Sequence, residues 1–403
     1  MIYRGRISYK MSSIFKKYKN FTWYKKKACE VLIYDGEGSD ILSHCVPKRA
    51  IVFILKIRTE MPLFLSAWFF FYLLIGIIKY KRPGLALTWG IIKYLKPKVI
   101  ITYIDNSPTI SWIKKVSLAT PVIAIQNGMR MDFSIRNDCH VEYDHYFSFG
   151  SVEKVMFSQG GHKVTNFYPI GSLRAGIFRD EELIPMVKDS DLCYISQFNP
   201  IPLNTDTLDE WTREMYNAYY IMGKQYFYII CKYAENNNLR LSVAMFSPKD
   251  SLNFNEEFEY YSYPGKINIE HIARNRFSSY RAVVSSRLTF TISSTLGYEA
   301  LGFGERVIFA KDVGLVNSLV MQGSWTDNLV THGLPELQRL HNLDYAELAF
   351  KATEILKMKN EDYIEYTKNA RSYYMNYDDE QRPHQIVKNK IKEFLKIKVS
   401  NGC

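Results

Sequence analysis

The sequence lacks every cysteine arrangement that would organise a metal, a redox couple or a covalent scaffold. Its six cysteines, at 29, 45, 139, 193, 231 and 403, form no CxxC pair and no short regular spacing. That excludes a zinc ribbon, a redox dithiol and a disulfide framework, and it fits a reducing cytoplasm. No secretory leader is expected either, because the basic start is followed by the polar, charged residues 14–27 and not by an apolar run, so secretion is not expected. There is no internal repeat and no low-complexity segment. Acidic residues are absent from the first 28 positions, which hold nine Lys or Arg with Tyr3, Tyr9, Tyr18, Phe21, Trp23 and Tyr24 interleaved. Such a segment suits an anionic membrane surface, a polyphosphate or nucleic acid. No recognised nucleic-acid module follows it, so membrane rather than nucleic acid is the expected partner, with a solvated basic tail as the plain alternative. Met11 offers an alternative start.

Long apolar runs are scarce too, with one exception. Met61 to Ile78 spans 18 residues, crowded with aromatics and followed by Lys79-Tyr80-Lys81-Arg82. That is the lower limit for a membrane span. Strand-like segments on both sides would be separated by spanning, so a buried helix or one lying in the headgroup region is expected instead. Together these features predict a cytoplasmic protein peripherally associated with the anionic inner face of a membrane.

What is present is an alternation of short β-rich runs with helical stretches. A chain of 403 residues, 47% hydrophobic, exceeds one typical core and divides naturally into two α/β domains. Strands are expected at Val31–Tyr34, Ala50–Leu55, Lys98–Ile104, Val122–Gln126, His145–Phe149 and Asn166–Ile170, with helices over the apolar run 61–78 and near Leu85–Leu95. After the charged stretch Arg179–Glu182 the pattern restarts. Strands are expected at Asp191–Ser196, Arg240–Phe246, Ala282–Ser285, Leu288–Ile292 and Val307–Phe309, and a long helix over Asp206–Glu235. From Pro335 onward the signals are helical only, ending in a Lys-rich amphipathic helix at Ile386–Ile397. The expected division is a basic segment 1–28, a first domain 29–180, a second domain 181–375 and a C-terminal helix 376–403. Both domains are expected to be Rossmann-like and doubly wound, facing each other across a cleft that collects ligands at the strands' carboxyl ends.

The densest chemistry lies in Leu288–Ala310, which has the pattern of a strand, a hydroxyl-rich turn, a short helix, a glycine stop and a second strand. A helix start presents unpaired N–H groups and the positive end of the helix dipole, so it suits a phosphate. Ser293, Ser294 and Thr295 add hydroxyls there. Gly297 keeps the first turn narrow, and Glu299, four residues after Thr295, lies one turn along the same face, suited to the hydroxyls of a ribose. The competing reading makes Ser294 or Thr295 a simple cap. A reciprocal capping box does not fit, since Leu296 stands three residues before Glu299.

Other candidates fall at strand ends. Asp105, just past an apolar strand, suits a general base that deprotonates an acceptor hydroxyl, or a helix cap shared with Asn106. Gln126-Asn127-Gly128 forms a turn after a strand, and Arg130 beside it suits a phosphate or carboxylate of the substrate. Lys249 follows Ser247-Pro248 and could neutralise phosphate charge, or be an ordinary surface lysine. The run Asp138–His145 is rich in ligand-type residues, but His140 and His145 are five apart rather than four, and no metal site is expected.

Tyr103-Ile104-Asp105-Asn106, Ile125–Arg130, Ile195-Ser196-Gln197-Phe198 and Ser293–Leu301, in this order, resemble bacterial surface-carbohydrate biosynthesis proteins, a set of glycosyltransferases with the GT-B fold. The resemblance runs from about residue 98 to 310. It implies a transferase with an acceptor-binding first domain, a donor-binding second domain and no required metal or other cofactor. The implied partners are a nucleotide sugar and a glycan or lipid-linked acceptor. In related sialyl- and Kdo-transferring enzymes a Ser-Ser pair at a helix start contacts the donor phosphate, and Ser293-Ser294 is the matching pair. Those enzymes also carry a His-Pro motif. Ser247-Pro248 stands in its place here, which puts a CMP-sugar in doubt and leaves UDP- and GDP-sugars open. A phosphotransferase or sugar-nucleotide epimerase of the same fold, and a non-catalytic membrane-bound glycan assembly protein, are the alternatives.

Overall fold

The computed structural model describes residues 20–24, 29–56, 60–105, 113–117, 119–129, 141–182, 187–198, 210–310, 333–378 and 380–396. Their strands form two six-stranded parallel sheets and one two-stranded pair.

The pair joins β1 (Asn20–Tyr24) to β4 (Glu60–Phe64). The first sheet contains β2 (Val31–Ile33), β3 (Val52–Ile54), β5 (Val99–Thr102), β6 (Val122–Ile125), β7 (Glu142–Ser148) and β8 (Lys163–Pro169), in the order β3-β2-β5-β6-β7-β8. Every residue of β2, β5 and β6 is buried, as expected for parallel strands covered on both faces. Alternation decides which side each residue serves. Leu32, Ile100, Ala124 and Tyr146 face one apolar layer, which includes the largely buried helix α3 (Pro83–Leu95). Val31, Ile33, Val99, Ile101, Ile123, Ile125 and Phe147 face another, shared with α1 (Ser39–Cys45) and α5 (Leu173–Glu181). Between them in sequence lie α2 (Ala67–Tyr80), packed outside α3, and α4 (Val152–Gln159).

The second sheet contains β9 (Ser190–Ile195), β10 (Leu241–Ala244), β11 (Ile269–Ile272), β12 (Ser286–Thr291), β13 (Val307–Ala310) and β14 (Arg339–Leu340), in the order β11-β10-β9-β12-β13-β14. It too is doubly wound. The long helix α6 (Glu210–Asn236) and α10 (Tyr345–Lys357) cover one face, while α8 (Ser278–Val284) and α9 (Thr295–Phe303) lie on the other. The short α7 (Phe254–Tyr260) supplies the buried Glu257 to the turn after β10.

The chain then returns to the first unit. After α11 (Asn360–Tyr374), Asn376 N–H donates to the Phe149 carbonyl at 2.8 Å and its side chain donates to the Pro169 carbonyl at 2.9 Å. Helix α12 (Pro383–Leu395) packs against α1 and α5, with Arg382 paired to Asp180 at 3.0 Å.

Three expectations need correction. Residues 282–285 are not a strand but the end of α8, because Asn275 and Ser278 nucleate a helix. Asn275 Oδ1 accepts from Phe277 N and Ser278 N, and Ser278 Oγ accepts from Asn275 N. The apolar run is not one helix from 61, since Glu60–Phe64 pairs with β1 and the helix begins at Ala67. The tail from 335 is not wholly helical, because Arg339–Leu340 adds a sixth strand. Among the described residues no helix is long and apolar enough to cross a membrane. Cys29, Cys45, Cys193 and Cys231 are buried free thiols.

Candidate functional site

Each sheet reverses its strand order once. The reversals fall between β2 and β5 and between β9 and β12, and in open parallel sheets the loops at such a point leave a crevice at the strands' carboxyl ends. Here the two crevices share one cleft of about 450 Å³. The first unit contributes Glu37 and Gly38 from the loop after β2, Tyr103 after β5, Asn127 after β6 and Arg174 from α5. The second contributes the ends of β9 and β10, the loop Arg274-Asn275-Arg276, Ser279 and Tyr280 of α8, and Ser294, Thr295, Leu296 and Glu299 of α9.

The β12–α9 turn is fixed by Gln197, which follows β9. Gln197 Oε1 accepts from Ser293 N–H at 2.7 Å and from the Thr291 hydroxyl at 3.2 Å, and its amide donates to Ser293 Oγ at 3.4 Å. Ser294 is the extended residue that starts the helix. Its side chain makes no capping bond, its own N–H donates to Thr291 Oγ1 at 3.1 Å, and its carbonyl accepts from Gly297 N–H. The Ser294 hydroxyl therefore opens on the cleft beside the first N–H groups of α9, which have no intrahelical acceptor. Thr295 Oγ1 accepts from Met129 N–H at 2.9 Å, joining this helix start to the Gln126–Met129 turn of the other unit. Gly297 faces the sheet. A Cβ there would meet Thr291 Cγ2 at 2.5 Å and the Phe309 ring at 3.2 Å, so the glycine sets the helix-to-sheet spacing.

Glu299 is 4% exposed, lines the cleft, and accepts from the Tyr280 hydroxyl at 2.9 Å. Burial pushes its carboxyl up to about 7, opposed by hydrogen bonds from Ser172 and Tyr280 and by the nearby Arg174 guanidinium. Gln126 is committed inside the fold. Its amide donates to Glu153 at 2.6 Å and to the Gly128 carbonyl at 3.0 Å, and its oxygen accepts from Phe149 N–H at 2.7 Å. It therefore shapes the turn that presents Asn127 to the cleft. Glu153, wholly buried beneath it, is likewise pushed up to about 7 by desolvation. Asp105 is 2% exposed. Its Oδ2 accepts from the Tyr146 hydroxyl at 2.6 Å and its carbonyl accepts from the Tyr143 hydroxyl, and it is not among the residues lining the cleft. Lys249 is exposed and also outside the lining. Arg130 lies outside the described residues.

Among the described residues, the cations that line the cleft are three arginines that the sequence reading did not assign to the site. Arg174 sits in the first turn of α5 and has no hydrogen-bond or ion-pair partner among the described residues. Arg274 lies over the Phe246 ring at 5.3 Å, and Arg276 pairs with Glu181 at 2.7 Å. One signal for Arg174 is present in the sequence. Ser172 is a good N-cap, and it accepts from Ala175 N–H. A cation two residues after a cap opposes the helix dipole, so it calls for an anionic partner from elsewhere. Glu37 was not singled out either, because one short acidic loop between strands carries no motif.

This geometry, two doubly wound domains meeting at their switch points over a helix start rich in hydroxyls and ringed by arginines, defines the GT-B class of fold. A solved UDP-N-acetylglucosamine 2-epimerase from Listeria monocytogenes, itself titled putative, superimposes with a TM-score of 0.50 at 13% identity, covering 92% of this chain and 96% of its own. The UDP-GlcNAc 2-epimerase of Neisseria meningitidis gives 0.48 at 13% identity, over 93% of this chain and 100% of that one. The wall teichoic acid polymerase TagF gives 0.45 at 8% identity, over 92% and 90%. Residues 123–386 match the model of the family described as "putative O-antigen biosynthesis protein", and the chain belongs to that family. No curated protein matches its sequence.

Proposed function

We propose that the protein is a glycosyltransferase of O-antigen assembly that takes its sugar from a nucleoside diphosphate donor. The observation that carries this reading is the Ser294–Leu296 helix start opposite Arg174, which has no ion-pair partner among the described residues. Oriented N–H groups, two hydroxyls and a guanidinium converge there, which suits a diphosphate better than a neutral or singly charged ligand. The same groups would stabilise the charge left on the departing nucleotide, so transfer needs no metal in this proposal. Ser293 and Gly297 then hold the turn, while Lys249, exposed and outside the cleft, takes no part in phosphate binding.

The acceptor side is assigned to the first unit. Of its carboxylates Glu37 lines the cleft, so we give it the role of base, taking the proton from an acceptor hydroxyl as the new glycosidic bond forms. Asp105 fixes Tyr146 and the end of β5 behind that wall, and Asn127 contacts substrate beside it. We assign the acceptor to a growing surface glycan or its lipid-linked precursor, a reading that the O-antigen family supports.

A nucleotide-sugar panel incubated with and without a lipid-linked glycan tests the reading. Sugar transfer that requires the acceptor is expected. Conversion of the nucleotide sugar without acceptor would favour an epimerase, the activity named for the Listeria fold. Failure to bind any of UDP-, GDP- or CMP-sugars would overturn both.

A further inference from the structure

Among the described residues, nothing covers one half of helix α2. Gly76 and Phe69 face α3, where a Cβ on Gly76 would meet the Ala86 backbone at 3.0 Å, so the inner contact is close and complete. On the opposite side Trp68 is 66% exposed, Leu74 58% and Ile78 69%, with Phe70, Phe71 and Ile77 also exposed between them. At 100° per residue these six positions fall within one continuous half-cylinder. Soluble surfaces scatter large apolar side chains singly and rarely gather them in this way.

The surroundings of this face select its occupant. Lys79, Lys81 and Arg82 are exposed at the helix's C-terminal end. Strand β1 lies in register with β4, Tyr24 opposite Phe64, so the end of β1 comes beside the start of α2. Exposed Trp23 and Leu65 continue the apolar surface there. An aromatic-rich apolar face with a cluster of cations at its C-terminal end matches the boundary between acyl chains and anionic headgroups. At 14 residues the helix is about 21 Å long, short of the roughly 30 Å hydrocarbon core, so it suits lying in the surface plane rather than crossing it.

We infer that α2 is a monotopic membrane anchor, seated in an anionic bilayer with Trp68, Phe71, Leu74 and Ile78 toward the acyl chains and Lys79, Lys81 and Arg82 on headgroup phosphates. The competing occupant is a second copy of the chain meeting face to face.

Flotation of the full chain with vesicles of phosphatidylcholine alone, and of phosphatidylcholine with 30% phosphatidylglycerol, separates these. Binding to the anionic vesicles is expected, lost to background in the double variant Trp68→Glu/Leu74→Glu. Replacing Lys79, Lys81 and Arg82 by Gln should weaken binding to anionic vesicles about tenfold or more and leave the weak binding to neutral vesicles unchanged. The exposed positions leave folding intact, checked by circular dichroism and by unchanged nucleotide affinity. No flotation, or flotation indifferent to the Glu substitutions, would overturn the anchor. So would a dimer in sedimentation that Leu74→Glu splits into monomers.

Discussion

Arg174 and Glu299 face each other's electrostatics across the cleft, and each predicts a different measurement. Arg174 stands at the positive end of the α5 dipole with no hydrogen-bond or ion-pair partner among the described residues, so an incoming diphosphate would relieve the repulsion from that dipole as well as gain hydrogen bonds. Arg174→Met is expected to weaken nucleotide binding by about 10- to 100-fold in calorimetry, from the loss of roughly 1.5–3 kcal/mol of charge-assisted bonding, with little change in melting temperature. Glu37→Gln is expected to lower kcat by about 100-fold or more with nucleotide affinity unchanged. Equal losses in kcat and affinity would place Glu37 in binding rather than proton transfer. Glu299 and Glu153, both raised from 4.5 to about 7 by burial, bear on stability. Between those values the folded chain holds protons that the unfolded chain has released. Stability therefore falls as pH rises through this window, by about 1.4 kcal/mol per pKa unit for each group, and the loss is complete above about pH 7. Melting should be higher at pH 5.5 than at pH 8, and Glu299→Gln should narrow the difference.

At the scale of elements, backbone approach is as decisive as side-chain chemistry. Gly150 lets the last turn of α11 pass so close that a Cβ would meet the Tyr373 carbonyl oxygen at 2.1 Å, and backbone there cannot yield. Gly150→Ala is expected to cost about 1–3 kcal/mol of stability in a denaturant titration and to loosen the return of α12. The elements that were legible in the sequence were those with continuous apolar runs. The stretch Leu288–Ala310 folds as its pattern predicts because apolar strands, a small-residue turn and Gly304 in the left-handed region all favour one arrangement. Strand β11 was not legible, since Ile269–Ile272 carries Glu270 and His271 on the sheet edge. The end of α8 was misread because Ala282-Val283-Val284 suits strand or helix equally until the Asn275–Ser278 turn decides. The place of Asn127 and of the Ser294–Thr295 pair on the cleft was legible because strand-end turns line the crevice in this architecture. Arg274 and Arg276 were not, since their place in the cleft depends on which strand the second sheet puts beside β10.

For the whole molecule, the cleft exists because two separate switch points are held opposite each other. The Thr295–Met129 bond, the Tyr280–Glu299–Ser172 cluster and the returning α12 all cross between units. A nucleotide bound in the cleft as proposed would act on two sheets at once, and should protect loops of both units from hydrogen exchange. The most direct test is titration of UDP and GDP into the wild type, Ser294→Ala, Arg174→Met and Lys249→Ala by calorimetry. Nucleoside diphosphate binding that Ser294→Ala and Arg174→Met each weaken about tenfold or more, and that Lys249→Ala leaves unchanged, is expected. Binding untouched by the first two substitutions, or abolished by the third, would contradict a diphosphate site at the start of α9.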